Sequence, residues 1–95
     1  MSKLRQSARG QECHLRIPRV CCHDNETTVL AHIRKAGIAG TGMKPPDVCG
    51  VFACRTCHDY IDGRGESWDD QLTKNTYILD GHLRTLKWWV DHGFL

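Results

Sequence analysis

Cysteine and histidine carry most of the chemistry available to this chain, and their spacing is informative. Cys54 and Cys57 form a Cys-x-x-Cys pair, and Cys13 with Cys21 or Cys22 supplies a second pair upstream. Two such knuckles provide four sulfurs, the donor set that closes the tetrahedral shell of a structural Zn2+. Two other uses of these thiols compete with that reading. A Cys-x-x-Cys dithiol can be redox-active, but no thioredoxin-like βαβ pattern precedes this one. The thiols can also be buried without a ligand, and Cys49, in an apolar run, reads as a small filler of that kind. The histidines point to separate chemistry. His58 directly follows the second cysteine pair and Asp62 lies four residues on, so a helix over 56–63 places imidazole and carboxylate on one face, where they can grip a divalent ion. His32, in the extended segment Val-Leu-Ala-His-Ile-Arg, can be presented to the same place by a strand. Such a site suits phosphodiester hydrolysis. The ion polarises the phosphate, neutral His32 takes a proton from water, and Arg34 and Arg55, with Lys35 and Lys44, neutralise flanking phosphates. His14, His23, His82 and His92 read as hydrogen-bonded structural residues.

Those residues need elements to hold them. Residues 2–8 suit a short amphipathic helix ending near Gly10, and residues 11–23, with Ile17-Pro18, suit a short hairpin or knuckle. Residues 27–34 are extended in pattern. The stretch 35–47, with three glycines and paired prolines, is a loop. The apolar run 48–53 has strand length and delivers the second cysteine pair straight into a helical segment, so an antiparallel pair followed by a helix would bring His32 and His58 together. The last third reads as a long helix. Ser67 is the expected N-cap with Asp70 three residues on, and Gly93 marks the stop. Its expected core stripe is Leu72, Leu79, Leu83, Leu86 and Val90, with Trp88 and Trp89 covering core and Gly81 weakening the helix locally.

Length and composition bound the rest. Ninety-five residues with 7% aromatics make one domain, residues 1–95, whose apolar core alone is marginal, so the six cysteines are expected to help hold it. The first fourteen residues lack the apolar stretch of a signal peptide and no run approaches a membrane span, so the expected location is a cytoplasm, where close-spaced cysteines favour metal over disulfide. A net charge of +2 does not by itself indicate nucleic-acid binding. Its distribution is uneven, because residues 1–35 hold seven basic against three acidic side chains. That basic third can meet phosphates or simply be solvated surface.

Several segments together resemble the YbcO-like family of small phage and prophage nucleases. They are Ala8-Arg9-Gly10, Cys13, Arg16-Ile17-Pro18 with Val20-Cys21, Leu30 to Arg34, Gly40-Thr41-Gly42 with Lys44-Pro45-Pro46-Asp47, and Ala53-Cys54 with Cys57-His58-Asp59 and Ile61-Asp62. The likeness is dense over residues 4–65 and extends to the terminal helix only in length and pattern. It implies an α+β fold: a zinc-stabilised HNH, or His-Me finger, core of the ββα-metal type with a carboxy-terminal helix. It also implies that Cys13, Cys21, Cys54 and Cys57 hold the structural zinc, selecting Cys21 over Cys22, that His32 is the general base, and that His58 binds the catalytic ion. Asp62 is the weaker ligand assignment. The chain departs from the pattern twice. Ala31 stands where many such nucleases carry a further metal ligand before the base, and Cys49 stands near the position where they often have Asn, with Asp47 two residues earlier as a substitute that accepts a hydrogen bond or joins the ion.

The expected activity is thus a phage- or prophage-encoded endonuclease acting on DNA in the cytoplasm of the bacterial host, with structural Zn2+ and catalytic Mg2+, Mn2+ or another divalent ion. Ala31 and the absent Asn favour an alternative, a non-catalytic zinc module that binds nucleic acid or a phage recombination or packaging protein. A thiol oxidoreductase using Cys54 and Cys57 is the third reading. The terminal helix can pack on its own core or on a second copy, so a homodimer is among the expected partners.

Overall fold

The computed structural model describes residues 3–34, 45–65 and 67–95. Lys35 and Lys44, and with them most of the glycine-rich loop, lie outside the described residues.

Two short strands form the centre. β1 (Val29–His32) pairs antiparallel with β2 (Gly50–Ala53), in the register Val29–Ala53, Leu30–Phe52, Ala31–Val51 and His32–Gly50. Alternation along each strand sends side chains to two separate cores. Ala31, Val51 and Ala53 join a cluster with Cys13, Leu15, Ile17, Cys54, Cys57, Tyr60 and Ile78. Leu30 and Phe52 turn the other way and meet Ala8 and Trp89. An isolated two-stranded sheet is at best marginal, so both faces and the outer edge need cover.

Helix α3 (Gln71–Asp91) and the 13–17 segment close the outer edge of β2. His82 Nδ1 lies 2.6 Å from the Gly50 carbonyl, and the His14 N–H donates to the Phe52 carbonyl at 2.7 Å. The Phe52 N–H donates to Thr85 Oγ1 at 3.0 Å, and that hydroxyl lies 2.8 Å from His14 Nδ1. Burial, reinforced by the charge of Arg16, pushes His14 down to about 4, so its ring is neutral at neutral pH and its Nδ1 can accept the Thr85 proton. His14 and His82 thus have structural partners. So does His92, whose Nδ1 lies 2.7 Å from the Trp88 carbonyl while its ring stacks on Trp88.

Helix α1 (Lys3–Ser7) ends before Gly10, which takes φ +74°, and is tied to α3 by a 2.8 Å hydrogen bond from Trp89 Nε1 to Ser7 Oγ. Helix α2 (Arg55–Ile61) follows β2 directly. Residues 11–23 form no hairpin. Arg16, Arg19 and His23 take left-handed φ of 48°, 64° and 56°, and Pro18 has no N–H to give a ladder, so the segment is a knuckle of turns.

The long helix differs from its sequence expectation in two respects. Its N-cap is Asp70, whose Oδ1 accepts the Thr73 N–H at 2.8 Å, and not Ser67. Its inward face is Lys74, Ile78, Gly81, Thr85 and Trp89, while Leu72, Leu79, Leu83 and Val90 are exposed. The helix runs unbroken through Gly81 because β2 and the 13–17 segment approach closely there: a Cβ at this position would meet Val51 Cγ2 at 2.9 Å and the His14 carbonyl oxygen at 3.1 Å. Packing, not helix propensity, selects glycine.

Candidate functional site

The four cysteines converge. One sulfur from each of Cys13, Cys21, Cys54 and Cys57 lies within 4.8 Å of the others, and among the described residues no other set of three or more His, Cys, Asp or Glu side chains gathers in this way. Local structure explains how. Cys54 is the N-cap of α2 but its side chain makes no cap hydrogen bond; Thr27 Oγ1 instead accepts the Arg55 N–H at 3.2 Å. Thr56 Oγ1 donates to the Val20 carbonyl at 2.7 Å and ties the knuckle to the helix. Cys22 lies outside the group, exposed, with its sulfur 3.7 Å from Thr27 Oγ1.

No two of the six cysteines are bridged. Cys21 and Cys54 sulfurs are 3.8 Å apart. Four sulfurs bound at ~2.3 Å to one tetrahedral ion are separated by ~3.8 Å, against ~2.05 Å in a disulfide. The thiols influence one another strongly. A hydrogen bond from Cys57, together with bonds from the backbone of Cys54, Arg16 and Leu15, pushes Cys13 down to about 4. The same bond to Cys13 and burial push Cys57 up, and burial first of all pushes Cys21 up to about 11. Four crowded thiols cannot all ionise beside one another unless a cation compensates, and a divalent metal with an affinity for sulfur does so. The donor set and its spacing fit zinc.

Two separate His–Asp pairs lie apart from the cysteines. His32, at the end of β1 with a side chain 9% exposed, has Nε2 2.7 Å from Asp47 Oδ1. A turn closed by the Cys49 N–H to the Pro46 carbonyl at 2.9 Å carries Asp47, and the Ile33 N–H to Cys49 carbonyl bond, 2.8 Å, holds that turn against β1. Arg5 NH2 approaches the same carboxylate oxygen at 3.8 Å. On α2, His58 Nε2 is 3.2 Å from Asp62 Oδ2, the one-turn spacing expected of a helix, and Arg64 NH2 is 3.7 Å from that oxygen.

A cavity of about 200 Å3 joins elements of both pairs: His32, Arg34 and Asp62 line it, with Gln71 from the start of α3 and apolar side chains that include Ile33 and Ile78. Arg34 is exposed and makes no ion pair among the described residues. Arg55 is exposed at the first position of α2. Gln71 was not foreseen from the sequence. It reaches the cavity as the first residue of α3, just after the Asp70 cap, and the preceding Asp69 is tied to α2 by Tyr60, whose hydroxyl donates to Asp69 Oδ2 at 2.7 Å and accepts the Asp69 N–H at 3.0 Å.

A small α+β protein with a two-stranded centre, a helix opened by a Cys-x-x-Cys, a four-cysteine cluster and a His–Asp-lined cavity is the class that these features define. The chain belongs to the family described as "Putative nuclease YbcO", whose model matches residues 2–94. Two curated relatives are each 47% identical over 95 residues, spanning all of this chain and 98% of theirs: "Putative nuclease YbcO" of Escherichia coli K12 and "Putative nuclease ybcO" of Enterobacteria phage 82. A solved structure described as that of "a putative bacteriophage protein" from Escherichia coli K-12 superposes with a TM-score of 0.78 at 43% identity, over 96% of this chain and all of that one. Among the described residues no helix is long and apolar enough to cross a membrane.

Proposed function

We propose that this chain is a phage- or prophage-encoded, metal-dependent endonuclease of the HNH, or His-Me finger, type that hydrolyses phosphodiester bonds in DNA in the host cytoplasm. The single observation that carries the reading is the 2.7 Å His32–Asp47 pair at the wall of a cavity shared with Asp62 and Arg34. The names of the relatives, a nuclease in a bacterium and in a phage, agree with it.

In this reading His32 is the general base. Its Nε2–H donates to Asp47, which fixes the tautomer and leaves the Nδ1 lone pair to take a proton from water. The water oxygen forms a bond to phosphorus, the opposite ester oxygen leaves with the electron pair of the broken P–O bond, and that oxygen takes a proton from solvent. Arg34, and Arg55 beyond the cavity, neutralise phosphate charge, a task proposed also for Lys35 and Lys44, which lie outside the described residues. His58 and Asp62 would hold Mg2+ or Mn2+. Their side chains lie 3.2 Å apart on one face of α2, an imidazole and a carboxylate of the kind that bind such ions. An ion held there would supply positive charge to the phosphate. Asp47, engaged by His32, serves in orientation in place of the missing Asn. Cys13, Cys21, Cys54 and Cys57 would hold a structural Zn2+ that has no part in the reaction.

Ala31, which is buried and offers no donor where related nucleases carry one, favours a second reading, a non-catalytic zinc module that binds nucleic acid or a phage recombination or packaging protein. One experiment separates the two: nicking of supercoiled plasmid with Mg2+, Mn2+ or EDTA, by wild type and by zinc-loaded, folded His32→Ala. The expected result is metal-dependent nicking that falls by about 10²-fold or more in the variant. Nicking at the wild-type rate by His32→Ala would overturn the mechanism, and failure of folded wild type to cleave duplex, branched or single-stranded DNA or RNA would leave the module as the function.

A further inference from the structure

Helix α3 has two apolar faces, and the fold uses one. Leu72, Leu79, Leu83 and Val90 are 76%, 57%, 54% and 60% exposed, and Leu86, at the rim of this face, is partly buried against the Ala8–Leu30–Phe52–Trp89 core. At about 100° per residue these five positions fall within an arc of about 60°, roughly opposite the buried face that Gly81 and Thr85 define. Their spacings of seven, four, three and four are the alternating three-four steps of a heptad seam, with Thr76 at the one seam position that is not aliphatic. An arc this narrow matches a partner helix. A lipid surface would require a wider apolar face bordered by cations.

We propose that this seam is a self-association surface on which α3 pairs antiparallel with α3 of a second copy of the chain. The charges beside the seam select both partner and direction. Asp80 and Lys87 each follow a seam leucine, and they lie three residues before and four after Leu83. When two α3 helices cross antiparallel at Leu83, Leu83 meets Leu83, Leu79 meets Leu86, and Thr76 meets Val90. Each Asp80 then faces the Lys87 of the other copy, giving two opposite-charge pairs. A parallel in-register pair sets Asp80 against Asn75 and Lys87 against His82, with no such complementarity. Within its own chain Lys87 Nζ bonds Asp91 at 2.7 Å, an exposed one-turn pair that the second carboxylate can share.

Sedimentation equilibrium or light scattering on the zinc-loaded full chain tests the proposal, and its outcome does not depend on the nuclease activity. The expected result is a dimer that Leu83→Glu converts to monomer, with zinc content and circular dichroism retained because position 83 faces solvent. Asp80→Lys and Lys87→Asp should each weaken the homodimer about tenfold by placing like charges together. Mixing the two should restore it, because both cross-pairs are then opposite in sign. Wild type that stays monomeric at several hundred micromolar, or a dimer indifferent to Leu83→Glu, would overturn the interface. Mixing that restores nothing would overturn the antiparallel arrangement.

Discussion

His32 and Asp47 are fifteen positions apart in the chain and meet at 2.7 Å, and the consequence is electrostatic as well as geometric. A carboxylate that accepts the Nε2 proton holds the ring in one tautomer and stabilises the imidazolium that forms when Nδ1 takes a proton. Asp47 is thus a positioning residue in the proposed reaction. Asp47→Asn keeps the side-chain size but reverses the sense of the hydrogen bond its amide nitrogen can make, so kcat for plasmid nicking should fall by about 10²- to 10⁴-fold while DNA affinity stays unchanged. A variant with wild-type kcat would exclude that role. The sequence showed His32, His58 and Asp62 as candidates because chemistry-bearing types stood at strand and helix spacing. It left Asp47 with two possible partners, because no local pattern states which way a turn after two prolines aims its side chain.

At the scale of the element, α3 shows how packing overrides local preference. Replacing Gly81 with Ala gains up to ~1 kcal/mol of intrinsic helix propensity. The added methyl carbon would lie 2.9 to 3.1 Å from Val51, Leu15 and the His14 carbonyl, and overpacking of that kind typically costs ~1–3 kcal/mol. The backbone oxygen cannot swing aside, so the clash should win. Gly81→Ala is expected to lower the thermal midpoint by several degrees in a calorimetric or dichroism melt, and an increase would show that β2 and α3 can separate freely. The same helix corrects the leucine stripe. The periodicity of Leu72, Leu79, Leu83, Leu86 and Val90 is real, but the three-dimensional core takes the stripe containing Gly81 and Thr85, because only small side chains let the helix approach β2 and satisfy the Phe52 N–H. A hydrophobicity pattern ranks faces by apolarity and has no way to register close approach.

For the whole molecule, two cores divided by a two-stranded sheet are thin support for a chain of this length, and three non-glycine residues in left-handed backbone add strain in the knuckle that carries Cys13 and Cys21. Zinc bound by four thiolates contributes on the order of 10 kcal/mol or more to folding, comparable to the entire stability of a small domain. Elemental analysis is therefore expected to find one zinc per chain. Removing it with a strong chelator at neutral pH should abolish the near-ultraviolet dichroism and the cooperative melt. Cys21→Ser should do the same, whereas Cys22→Ser should melt like wild type, since Cys22 lies outside the cluster. A metal-free chain with an unchanged melting midpoint would refute the dependence.

The sequence by itself determined the element types and the donor inventory. Apolar runs of strand length, the helix around His58, the turn residues and the Cys-x-x-Cys depend on neighbours a few positions away, and those interactions are written in local order. The likeness to the YbcO family named Cys21 over Cys22, and the fold brings that cysteine to the other three. Only the tertiary structure decided which face of α3 turns inward, that Asp70 and not Ser67 caps it, that His14, His82 and Thr85 close the edge of β2, and that Asp47 meets His32. Those outcomes rest on contacts between residues far apart in the chain, where volume, close approach and unpaired backbone groups outweigh what any single stretch prefers.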